Sequence, residues 1–195
     1  MYYGIYRNIR DCAWQCLLEF HVDHLPVNVS EIAWSAGVHV VKNSRFNKLR
    51  PGEHARSYFD GETWIIVYND TEDPTVSRFA IAHELGHYFL GHAAACAKYA
   101  HTREPGKKSK SEQQADMFAL RLLCPACVLK DMNVSSAEEL ANICRIPLPQ
   151  AETRYQRLKE IEKKNKYLTS PIEREVYRNF EAYLSSKTTE IRNKA

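Results

Sequence analysis

A chain of 195 residues, 44% hydrophobic and 26% charged, has the balance of a globular protein with one ordinary core and a small appendage. Its net charge of +3 argues neither for nor against nucleic acid, and it has no run of about eighteen apolar residues to span a bilayer. Tyr2 to Phe20 carries Arg7, Arg10, Asp11 and Glu19 where a secretory leader needs an unbroken apolar stretch, so a cytoplasmic location is expected.

Residues 3–22 read as a first helix, because Ile5, Ile9, Ala13, Cys16, Leu17 and Phe20 follow a helical stripe. Pro26 interrupts it, and Ser30-Glu31-Ile32-Ala33-Trp34 opens a short second helix that Gly37 can terminate. The period then changes. Val38-His39-Val40-Val41 and Trp64-Ile65-Ile66-Val67-Tyr68 read as strands, and Asp60-Gly61 after Tyr58-Phe59 is a hairpin signal. A small antiparallel sheet of about three strands is therefore expected before residue 74. Such a sheet can be a scaffold, or its unpaired edge can hold a peptide extended.

Pro74 to Gly91 reads as one helix, with Asp73 as N-cap, Pro74 in the first turn and apolar residues at Val76, Phe79, Ala82, Leu85 and Phe89. Inside it lies His83-Glu84-Leu85-Gly86-His87. Four residues of helix turn through about 400°, so both imidazoles project from one face and can hold a single Zn²⁺. Glu84, rotated by about 100° from His83, falls beside that position. There a carboxylate can take the proton of a water attacking a polarised carbonyl. Two helix histidines can also be ordinary satisfied residues, but spacing, intervening Glu and helical setting agree on a metal.

A catalytic zinc site normally has three protein ligands. An extended motif with Gly and His after the second histidine fails, because Leu90 and Ala93 stand at those positions. His92 on a continuing helix would point away from His83 and His87. Lys98 to Lys110, rich in basic residues and without periodicity, reads as a loop. Glu112, at the start of a helix over 111–123, is the better third ligand, with His101 and Glu104 as alternatives. Asp116 lies one turn on, where it can accept the free ring N–H of a ligand histidine. The six cysteines, Cys12, Cys16, Cys96, Cys124, Cys127 and Cys144, have no disulfide-framework pattern in a chain of this length. Cys124 and Cys127 have the spacing of a redox or zinc pair, without a second pair or a βαβ context.

Arg78-Phe79-Ala80-Ile81-Ala82-His83-Glu84-Leu85-Gly86-His87, the Glu-x-x-Ala-Asp-x-Phe-Ala segment from Glu112 to Ala119, and Leu122-Leu123-Cys124-Pro125 together resemble the ImmA/IrrE family of zinc metallopeptidases. The resemblance covers about residues 30–160. It implies an α+β, zincin-like, mostly helical core, with His83, His87 and Glu112 as zinc ligands and Glu84 as catalytic base. It also implies a substrate class, helix-turn-helix transcriptional repressors of mobile elements or stress regulons. Cys124 replaces the aliphatic residue the family often has before the Pro.

Residues 136–143 and 147–164 read as a helix pair resembling a helix-turn-helix. Arg154, Arg157 and Lys159 are balanced by Glu152 and Glu160, which favours packing or partner docking over DNA contact. Pro171 to Lys187 reads as one final amphipathic helix through Ile172, Val176, Phe180 and Leu184. The expected organisation is a metallopeptidase domain over 1–130, a helix-turn-helix-like subdomain over 131–165 and a C-terminal helix over 166–195. The functional reading is a zinc endopeptidase acting on a repressor, and the alternative is a zinc-containing anti-repressor that sequesters its target uncut. Glu84 favours the enzyme, because a site that only holds zinc does not need it. The oxyanion donor stays open among Tyr58, Tyr68, Tyr88, His92 and His101.

Overall fold

The computed structural model describes residues 3–92 and 108–192, so Cys96, His101, Glu104 and most of the expected loop lie outside the described residues. The chain divides into two compact units, residues 1–12 with 28–119, and residues 13–27 with 120–195. The first helix, α1 (Tyr3–Glu19), ends three residues before the expected limit of 22, where His21 takes a left-handed φ of 51°. Among the described residues no helix is long and apolar enough to cross a membrane.

In the first unit, α2 (Val29–Ser35) begins with a reciprocal cap. Asn28 accepts the Glu31 N–H and donates its own amide N–H back to the Glu31 carboxylate. The strands β1 (Val38–Lys42), β2 (Ala55–Phe59) and β3 (Trp64–Tyr68) form a sheet in the order β1-β3-β2. The hairpin of β2 and β3 closes as expected on Asp60, whose Oδ1 accepts the N–H groups of Glu62 and Thr63. However, β1 runs parallel to β3, so the sheet is mixed and not antiparallel throughout. The reason is the connection after β1. It contains a short helix, α3 (Asn43–Phe46), and has the length to carry the chain past one strand position, so that β3 and not β2 seats beside β1.

Helix α4 (Pro74–Phe89) starts on Asp73, whose Oδ1 accepts from the Thr75 N–H and hydroxyl, and it packs on β2 and β3. Its apolar stripe, Phe79, Ala82 and Leu85, is buried, and so are Ile66 and Val67, which face opposite sides of β3. Helix α5 (Lys110–Leu123) closes on α4 at Gly86, where a Cβ would lie 3.1 Å from the backbone of Ala115. The bare glycine therefore lets the two helix backbones approach. Phe89 stacks on Phe118 at 5.8 Å and covers the contact.

The second unit is helical. It contains α6 (Ala126–Asp131), α7 (Ala137–Cys144), α8 (Leu148–Lys163), α9 (Pro171–Asn179) and α10 (Glu181–Arg192). Helices α7 and α8 are the expected pair, joined by a turn in which Arg145 takes a φ of 50°. The single helix expected over 171–187 is two helices, broken at Phe180. Val176, Phe180 and Leu184 are nonetheless all buried, as their spacing requires. No proline or glycine marks the break, so side-chain packing, and not local propensity, sets it. Cys124 and Cys127 are fully buried, and burial pushes the Cys127 thiol up to about 12, where it is neither a nucleophile nor a ready ligand.

Candidate metal centre

The first unit brings three sequence-distant donors to one point. His83 and His87 stand one turn apart on α4, with their Nε2 atoms 3.1 Å from each other. Glu112, in the first turn of α5, places Oε2 3.2 Å from His83 Nε2 and Oε1 3.6 Å from His87 Nε2. One donor atom from each residue lies within 4.8 Å of the others. The alternatives His101 and Glu104 lie outside the described residues.

The surroundings decide which nitrogen carries the proton. Asp116 Oδ1 is 2.8 Å from His83 Nδ1, and an ionised carboxylate can only accept, so Nδ1 donates and, once the ring gives up its second proton, Nε2 has a lone pair for the cluster. Lys108 Nζ donates to the other Asp116 oxygen at 2.5 Å, which keeps that carboxylate charged. Glu112 and Asp116 thus share one face of α5, as their i, i+4 spacing requires.

The local field suits a cation. Burial alone would pull the pKa of His83 down, but hydrogen bonds to Asp116 and Glu112 overcome it and raise it to about 9. The His83 ring, bonded to it, and then the His87 ring beside it hold the Glu112 carboxyl far below the usual range. Burial opposes ionisation of Asp116, yet His83 and Lys108 keep it lowered. In the metal-free chain a proton therefore collects where two imidazoles and a carboxylate converge. Two nitrogens and a carboxylate oxygen form a donor set that a divalent ion of zinc type accepts, so the residues present fit a metal.

Glu84 lies beside the cluster and is held from the sheet. Ser57 of β2 donates its backbone N–H at 2.9 Å and its hydroxyl at 2.5 Å, both to Glu84 Oε2. Neither bond uses Oε1. Ser57 carries no signal in the sequence, since it is twenty-seven positions from Glu84 and sits in a strand.

His92 does not point away. The helix stops at Phe89, and Gly91, with a φ of 71°, turns the chain so that His92 Nδ1 lies 3.3 Å from His87 Nδ1. A left-handed φ is open to glycine at little strain, so Gly91 was the available signal. The far side of the ring, Nε2, meets Gln114 Oε1 at 2.9 Å, and burial, with His87 next in order, lowers the pKa of His92. Of the candidate oxyanion donors, His92 is thus occupied, Tyr88 donates to Ala36 O at 3.3 Å, and Tyr58 alternates onto the sheet face opposite Ser57.

No curated protein matches the chain. A family model described as the IrrE N-terminal-like domain, peptidase M78, matches residues 35–163. That span runs from the end of α2 through α8 and contains His83, Glu84, His87, Glu112 and Asp116. It covers well over half of the chain, and with these residues gathered at one point on two packed helices, the chain belongs to the M78 peptidase family, a family of metallopeptidase type.

Proposed function

We propose that this protein is a zinc endopeptidase in which His83, His87 and Glu112 hold the metal and Glu84 is the general base. When bound, Zn²⁺ supplies a Lewis acid that polarises a peptide carbonyl and acidifies water. The carrying observation is the fixing of Glu84. With Oε2 engaged by both Ser57 donors, Oε1 is the atom left to take a proton from the attacking water and return it to the leaving amine. A site that only stored metal would gain nothing from a carboxylate aimed in this way.

The sheet supports a peptide substrate. Ser57 N–H points to Glu84 and not across to β3, so the alternate backbone groups of β2 face outward along what is, among the described residues, an edge of the sheet. An extended segment added to that edge would pass beside Glu84. Phe59, 51% exposed, is on the same face as Ser57 and offers apolar contact to a side chain of that segment.

The substrate class we propose is a helix-turn-helix transcriptional repressor, in line with the family resemblance and a cytoplasmic location. Direct DNA contact by the α7–α8 pair is disfavoured by its cations. Arg154 donates inward to Cys124 O, Arg157 pairs with Glu160, and Lys159 lies 4.8 Å over the Tyr155 ring. Glu84→Gln tests the reading. It keeps the ligands and should retain zinc, while hydrolysis of a repressor trapped by this variant falls by a factor of about 10² to 10⁴. Repressor inactivation that survives the change would replace proteolysis by sequestration.

A further inference from the structure

His83 and His87 both have to present Nε2 to the shared point, yet their outer nitrogens meet unlike partners. His83 Nδ1 has the charged Asp116 carboxylate. His87 Nδ1 has a neutral ring, His92, which the turn at Gly91 brings back beside it. The two rings meet edge to face with centroids 5.2 Å apart.

We propose that His92, backed by Gln114, is the positioning residue of His87, accepting the His87 Nδ1 proton and so holding His87 Nε2 open toward the metal. The proton placement follows from the end of the chain of contacts. Gln114 Oε1 can only accept, so His92 Nε2 carries the hydrogen in that 2.9 Å bond. A neutral imidazole with hydrogen on Nε2 has its acceptor at Nδ1. That acceptor faces His87 Nδ1, which must then be the donor, and the His87 lone pair is left on Nε2. Glu112 and Gln114 thus divide the first turns of α5 between them. The first faces the metal position, and the second supports an imidazole standing behind a ligand. Outer partners of this kind orient a ligand and raise its basicity, and their loss costs about 10- to 100-fold in metal affinity.

The inference rests on the metal reading above, and its test needs no catalysis. Zn²⁺ affinity is measured by chelator competition on the full chain, and Co²⁺ absorption reports the coordination. His92→Phe keeps a ring of similar volume and removes the acceptor. His92→Asn loses volume but puts an amide oxygen near the place of Nδ1. The expected result is a loss of about 10- to 100-fold for His92→Phe, with a changed Co²⁺ spectrum, and recovery of most of that loss in His92→Asn. A packing role predicts the reverse order. Unchanged affinity in His92→Phe, or equal weakness in both variants, overturns the proposal while leaving the metal reading intact. A wild-type chain that binds neither ion overturns both. Should His92→Phe not fold, Gln114→Leu decides the matter, since it frees the His92 tautomer. A several-fold loss supports the relay, and no loss refutes it.

Discussion

Arg154 in the second unit is buried and His83 in the first is largely so, and their partners are of different kinds. Arg154, 4% exposed, gives Nε and Nη2 to the carbonyl of Cys124 at 3.0 and 2.6 Å, and the buried Glu173 accepts the Thr169 N–H just ahead of α9. Each of these charged groups is answered by complementary backbone. At the α4–α5 contact the outer nitrogens are answered by Asp116 and His92, whereas the inner atoms are turned toward one another. Two imidazole nitrogens and a carboxylate face one another, and all three are of acceptor type once the single shared proton is gone. Burial of polar groups does not by itself mark a site. What marks one is ligand-type atoms from separate elements converging on one point.

The largest effect is expected from Glu112→Ala, which removes one of the three converging donors. Zn²⁺ affinity should fall by more than the roughly 100-fold at the upper end for an outer partner, while the fold persists. Full metal occupancy in that variant would move the third ligand elsewhere and dissolve the contrast. Next is Arg154→Met, which keeps the length of the side chain and orphans a buried carbonyl. Unfolding should become easier by about 1–3 kcal/mol, with Zn²⁺ affinity unchanged. A loss of metal in Arg154→Met would show that the two kinds of buried polar group are not separate in function.

The smallest effect is a pH dependence of the metal-free chain. His83 has its folded pKa raised from about 6.5 to about 9, so its contribution to stability is complete below about 6.5 and is lost as pH rises through about 9. The melting temperature of the metal-free chain should therefore drift down across that window. Near neutral pH, metal uptake should release about one proton, which calorimetry in two buffers of different ionisation enthalpy would measure. Release of no proton would mean that the site is already deprotonated and that the convergence does not act as described.

Local chemistry made a good part of this legible from residues alone. Asp73 before Pro74 announced the start of α4, Asp60-Gly61 announced the hairpin, and the i, i+4 spacings placed His83 with His87 and Glu112 with Asp116. Each of those relations is contained within one turn of helix or one tight turn, where periodicity and capping act without help from the rest of the chain. The parallel seating of β1, the break at Phe180, the inward course of Arg154 and the return of His92 have no such local source. They follow from which surfaces meet.

Residue pattern alone located most of the helices and strands, the histidine pair with its neighbouring Glu84, and the carboxylates able to complete the cluster. It takes the packing of one element on another for Gly86 to admit α5 close enough to bring Glu112 to the histidines, for Ser57 to reach Glu84 from the sheet, and for His92 to stand behind His87. Spacing along a chain fixes directions within an element, whereas a site of several elements is fixed by how closely their backbones can pack, and that is settled by the side chains of both partners at once.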